Sequence, residues 1–178
     1  AFAICIGRPL NRHLTLHWGL FGFSEADAGK LTSAFLKLAS QFLRSNGAPF
    51  AFVYVRENDE GDGSKGPHSH LLLHVPPEIA PRFVAMQRRW LRIVTGKAYR
   101  RKAMRTSRIG HTLNAATASP AVYAVNLAAV THYVLKASCR AAVRALGLTH
   151  RPEYGRVIGK RAGWSENIGA AAREKWNV

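Results

Sequence analysis

Cysteine is nearly absent from this chain: Cys5 and Cys139 are the only two, and they lie too far apart in sequence to suggest a disulfide framework. A reducing cytoplasm suits that scarcity. Long apolar runs are missing as well, since no uninterrupted stretch approaches the ~18 residues that a membrane span needs, and Ala1 to Ile6 is too short for a signal peptide. Acid is the third shortage. Ten Asp and Glu stand against 26 Lys and Arg, a formal net charge of +16. Such an excess selects partners and says little about fold, and a polyanion is the natural partner. A basic surface that only aids solubility, or a structural ribosomal protein, has the same composition. No G-x-x-x-x-G-K-[S/T] loop, the phosphate-binding signature of nucleotide-driven motors, occurs in this sequence.

What is present describes one α+β domain over residues 1–178, with a stretch from about 149 to 178 whose role the sequence leaves open. Leu14, Leu16 and Trp18 alternate with His13, Thr15 and His17 between Asn11 and Leu20, the period of a half-buried strand. Ser24, with Asp27 as its capping-box partner, opens a helix to about Arg44, whose stripe is Leu31, Phe35, Leu38 and Phe42. Asn46-Gly47 ends it. Phe50 to Glu57 reads as a second strand, Asn58 to Pro67 as a loop, and His68 to Val75 as a third strand, making an antiparallel hairpin. Pro77 and Glu78 suit the first turn of a helix to about Val94. Thr95 to Gly110 is dense in Lys and Arg, holds no acid, and reads as a basic hairpin or loop. Ser119-Pro120 opens an Ala-rich helix to about Leu146, stopped by Gly147. That helix lacks the basic and apolar division of a membrane-surface segment. Gly-rich turns and a short helix near Gly169 to Trp176 complete the chain.

The strongest chemical signal is His68-Ser69-His70. Residues two apart on a strand share a face, with Cα atoms ~6.5 Å apart, so two neutral imidazoles can converge on one divalent ion. His-x-His alone is a weak signal, and ordinary polar strand faces carry it. Leu71 and Leu73 strengthen it by directing the other face inward, and Glu57 strengthens it by ending the neighbouring strand close by. A carboxylate beside two histidines suits Mn²⁺ or Mg²⁺. His74 shares the face but lies ~13 Å from His68 and reads as a surface or supporting residue. His13 and His17, also ~13 Å apart, do not chelate by themselves. Thr15 between them can hydrogen-bond a phosphate or base, as can any polar strand face. Tyr133 and Lys136 are neighbours at i,i+3 of the Ala-rich helix. A phenol with pKa near ~10 needs a metal-polarised phosphate or a cation to become a nucleophile.

Three motifs therefore stand in order: the strand H-L-T-L, the strand P-H-S-H-L-L-L-H-V-P, and the helix T-H-Y-V-L-K. That order resembles the HUH endonuclease superfamily, especially the single-tyrosine, Rep-like initiators of rolling-circle replication. The match runs roughly from Leu10 to Arg140, and Gly163-Trp164-Ser165-Glu166-Asn167-Ile168-Gly169 looks like the tail of bacterial relatives. The resemblance implies a ferredoxin- or RRM-like antiparallel sheet flanked by helices, with the histidine strand central and the tyrosine helix across it. It implies that His68, His70 and Glu57 hold a divalent ion, that Tyr133 is the nucleophile, and that Lys136 positions metal or phosphate. It further implies nicking and rejoining of single-stranded DNA at an origin hairpin through a 5′-phosphotyrosine link. The setting would be cytoplasmic, in a protein encoded by a bacterium, plasmid or phage. Unwinding would come from a host or separate helicase. Tyr123, ten residues before Tyr133 and about 80° around the helix, is read as packing. Lys97, Arg100, Arg101, Lys102, Arg105 and Arg108 are expected to follow the phosphate backbone. A transposase or relaxase shares this chemistry, a phosphoesterase using activated water shares its metal, and a non-catalytic single-strand binder would use the basic groove with Tyr54, Tyr99 and Trp90.

Overall fold

Period-two alternation in three segments builds the sheet, and pairing with two further strands completes it. The computed structural model describes residues 2–61, 64–136, 140–147 and 155–176. A short helix α1 (Phe2–Cys5) precedes β1 (Arg12–His17), followed by α2 (Glu25–Ser45), β2 (Phe52–Asp59), β3 (Gly66–Leu73) and α3 (Ala80–Thr95). Then come β4 (Met104–Arg108), α4 (Ala115–Ala118), α5 (Pro120–Leu135), α6 (Arg140–Ala145), β5 (Ala162–Trp164) and α7 (Ala170–Lys175). The strands form one open sheet in the order β4-β1-β3-β2-β5, every pair antiparallel. The architecture is α+β, an antiparallel sheet flanked by helices, with the histidine strand β3 at its centre. No helix among the described residues is long and apolar enough to cross a membrane.

One face carries Leu14, Leu16, Leu71 and Leu73, packed under Phe35, Ala39 and Leu43 of α2 and Phe83, Trp90 and Leu91 of α3. Ser69 is the polar member of that face and is satisfied there: Trp18 Nε1 donates to its Oγ at 2.9 Å, and the Thr32 hydroxyl lies 2.7 Å away. This network ties α2 to β3. The capping box is formed, with Ser24 N and Oγ both donating to Asp27.

The opposite face carries the polar residues of β1 and β3, and α5 lies across it. Tyr123, Leu127, Val130 and Val134 recur at helical spacing and pack on Val55, Leu72 and Ile109. The Tyr123 hydroxyl, buried, donates to Leu10 O at 3.1 Å, and burial pushes it up to a pKa of about 12. Tyr123 is thus a packing residue. The described helices here are α5 to Leu135 and α6 from Arg140; the expectation of one helix to about Leu146 crosses residues 137–139, with Cys139, which lie outside the described residues.

Three other expectations change. The hairpin strands extend through Asp59 and back from Gly66, so the loop is shorter than 58–67. The basic segment contains an edge strand, β4, hydrogen-bonded to β1. The C-terminal stretch, read as turns, supplies β5 on the outer side of β2. Arg56 anchors that stretch: it pairs with the buried Glu25 and donates to Ile158 O and Lys160 O, each at 3.0 Å. Tyr54 lies directly over Gly163, where a Cβ would meet the ring at 2.6 Å. Gly163→Ala therefore forces the ring or the strand aside. The expected cost is about 1–3 kcal/mol of stability, a loss of roughly 2–4 °C in Tm per kcal/mol in a domain this size. A melting curve superposable on that of the wild type would refute this account of β5.

Candidate metal centre and its surroundings

Register places the polar residues in rows across the covered face. His17 of β1, His68 of β3 and Glu57 of β2 are direct cross-strand partners, and the next row is Thr15, His70 and Val55. Adjacent strands lie ~4.8 Å apart, so the Glu57 carboxylate reaches both histidines of β3. Its Oε2 is 3.3 Å from His68 Nε2 and 3.6 Å from His70 Nε2. Glu57, His68 and His70 are all buried, and one ligand atom from each lies within 4.8 Å of the others.

The outward nitrogens fix how the rings present themselves. His68 Nδ1 donates to Gly66 O at 3.0 Å, which leaves the Nε2 lone pair of the neutral ring aimed at Glu57. His70 Nδ1 sits 3.1 Å from Thr15 Oγ1 and 3.2 Å from His13 Nε2, while its buried Nε2 has no hydrogen-bond partner. Two imidazole nitrogens and a carboxylate facing one another offer donor atoms that one divalent cation could share. The group can therefore hold a divalent metal, and its outer hydrogen bonds are those that orient histidine ligands.

Burial resists ionisation of Glu57, yet the imidazoles of His68 and His70 and the Lys136 ammonium outweigh it and hold the carboxyl well below its ordinary range. Burial likewise lowers His70, whereas at His68 the contacts with Glu57 and Gly66 overcome burial and raise it. His13 and His17 fall to about 4, first through burial and then through His70 and His68 respectively, so both are neutral near pH 7.

Above the carboxylate lie the two helix residues. Lys136 Nζ donates to Glu57 Oε1 at 2.6 Å and Oε2 at 2.5 Å, and the same ammonium stands 4.3 Å from the centre of the Tyr133 ring. The Tyr133 ring is 5.1 Å from that of His70 and 6.2 Å from that of His13, with 47% of the residue exposed. A cavity of about 250 Å³ opens beside it, lined by His13, Thr15, Arg105, Ser107 and Tyr133.

Five residues expected at one site, Glu57, His68, His70, Tyr133 and Lys136, are thus brought together. Thr15 lies beside His70, whose ring it orients, and lines the same cavity. The basic residues separate. Arg105 pairs across from Thr15 and lines the cavity, whereas Arg108 pairs with Arg12 on the opposite face. Lys97 donates to Phe21 O at 2.6 Å and stands over the Phe23 ring, and Arg100 donates to Leu20 O at 2.5 Å, so both fasten the turn after β1. Arg101 is exposed, and Lys102, with φ of 69°, turns the chain into β4. Of the proposed stacking aromatics, Trp90 is buried in the core and Tyr54 packs on Gly163. His74 is buried, 2.8 Å from Pro9 O, and serves the fold. His13 was underrated, because its place beside His70 depends on the β1–β3 register, which no local pattern announces.

Fold and donor set together define a class: an α+β domain with a buried Glu–His–His centre on the middle strands of an antiparallel sheet. Comparisons with protein families, with characterised proteins and with solved structures return no match for this chain.

Proposed function

We propose that this protein is a metal-dependent endonuclease that nicks and rejoins single-stranded DNA through Tyr133, as an initiator of rolling-circle replication. The observation that carries the reading is the stacking of three layers: a Glu57–His68–His70 centre, the Lys136 ammonium on its carboxylate, and the exposed Tyr133 ring against His70 and Lys136. Two imidazoles with one carboxylate suit Mn²⁺ and, less tightly, Mg²⁺, which prefers all-oxygen ligands. When bound, such an ion polarises the scissile phosphate. The Tyr133 hydroxyl releases its proton to water as its oxygen attacks phosphorus, the bond to the 3′ oxygen breaks, and that oxygen takes up a proton from water and departs as a hydroxyl. The 5′ phosphate stays on Tyr133 until a 3′-hydroxyl attacks it and releases the tyrosine. Lys136 offsets the charge developing on the phenol oxygen, and Arg105 faces the phosphate from the other side of the cavity.

A labelled single-stranded DNA library incubated with the protein and Mn²⁺ tests this. The expected product is a protein–DNA species that survives a denaturing gel, paired with a free 3′-hydroxyl fragment. A native-gel shift without that species indicates a binding module, and nicks without it indicate activated water; either result removes Tyr133 as nucleophile. A transposase or relaxase would give the same adduct on a different DNA, and the sequences recovered from the library separate them from an initiator.

A further inference from the structure

A second basic feature lies on the other side of the sheet from the metal ligands. A cleft of about 720 Å³ runs along the outer face of α3 and the turn after it, lined by Arg89, Arg92, Ile93, Lys97 and Tyr99 among others. That volume falls in the ~300–1,000 Å³ range of clefts that hold ligands. Arg89 and Arg92 are exposed, and their guanidiniums make no hydrogen bond or ion pair among the described residues. No acid is available in sequence to neutralise them, since residues 79 to 152 contain no Asp or Glu. The attraction of a helix C-terminus for cations accounts for Arg92 in the last turn of α3, but not for Arg89 and Lys97 converging on the same hollow. Two of the groups are held in place: Lys97 by Phe21 O and the Phe23 ring, and Tyr99 by the Arg88 guanidinium 4.9 Å from its ring centre. Ile93, 57% exposed, adds an apolar wall.

Cations beside an aromatic ring and an apolar wall match a strand that offers phosphates and unstacked bases together. We propose that this cleft is a second binding site for single-stranded nucleic acid, holding a stretch of strand away from the bond that is cut. The inference rests on the nucleic-acid part of the proposed function and on neither the metal nor Tyr133.

Salt titration of oligothymidylate binding in chelator, read by anisotropy, tests it with Arg89→Gln/Arg92→Gln. A charge-matched control, Lys30→Gln/Lys175→Gln, removes two exposed cations elsewhere. Losing two phosphate contacts should flatten the log–log salt slope by about 1.4 for the cleft variant and leave the control near wild type. The Mn²⁺-induced rise in Tm should be the same in all three proteins. An unchanged slope in the cleft variant, or an equal change in the control, overturns the proposal. Tighter binding of duplex through the same two arginines overturns its single-strand part. Wild-type protein that binds no nucleic acid overturns this inference and the nuclease reading together. Normal cleft dependence without a covalent adduct in Mn²⁺ leaves the cleft standing and removes only the nuclease.

Discussion

Tyr133→Phe is expected to abolish both strand cleavage and the denaturation-resistant DNA species while leaving fold and DNA binding in place. The substitution removes one oxygen from a half-exposed ring and keeps the ring itself, so the contacts with His13, His70 and Lys136 persist. Stability should change by no more than about 0.5 kcal/mol. Removing the nucleophile of a covalent enzyme costs on the order of 10⁶-fold in turnover, which places residual cutting below detection. Tyr123→Phe is the informative contrast. It discards the buried hydrogen bond to Leu10 O and should lower Tm by the ~1 kcal/mol typical of such a bond while cleavage continues. Cutting at wild-type rate by the Tyr133 variant would end the assignment, and loss of the adduct in the Tyr123 variant alone would transfer it.

The second large effect concerns the metal centre. Stripping the protein with EDTA should stop cleavage, and Mn²⁺ should restore it. A readout independent of activity is thermal stability. An ion that binds only the folded state adds about 2.7 kcal/mol at 100 times its Kd, roughly 5–10 °C in Tm for a domain this size. His68→Gln, His70→Gln and Glu57→Gln should each lose most of that rise. Glu57→Gln should also lower the metal-free Tm, because it leaves the Lys136 ammonium without its carboxylate and removes the counter-charge of His68. Wild-type Mn²⁺ stabilisation in all three variants would show that the ion binds elsewhere, and cutting by EDTA-treated protein would show that it is not needed.

Much of this centre could be read from residues alone because its parts are local. Period two in H-L-T-L-H-W and in P-H-S-H-L-L-L assigned the faces of β1 and β3, and the hairpin joining β2 to β3 sets Glu57 beside His68. Tyr133 and Lys136 needed only the helical repeat. What stayed hidden depends on contacts distant in sequence. The basic segment carries no clean alternation, and only pairing with β1 makes part of it a strand, after which parity sends Arg105 to the site and Arg108 away. Ala162-Gly163-Trp164 is too short to carry a period, and its identity as β5 comes from β2. Which residues of α5 would cover the histidine face was equally invisible. α5 is apolar nearly all round, so its sequence does not say which side meets the sheet.

The fifth strand has a consequence for the order in which the molecule is built. Phe52 N reaches Ser165 Oγ across 113 residues of chain, and the strand beside it brings Glu57 to the histidines. Synthesis runs from β2 toward β5, so β2 emerges with an unpaired border and keeps it until the segment with Ala162 to Trp164 arrives. Through that interval a row of backbone donors and acceptors beside Phe52, Val53 and Tyr54 is open to any extended strand, including one from a neighbouring nascent chain. The long loop must close before that border is protected, which makes it a late and entropically costly step. Pairing of β5 with β2 thus covers a border that would otherwise be open to misassembly.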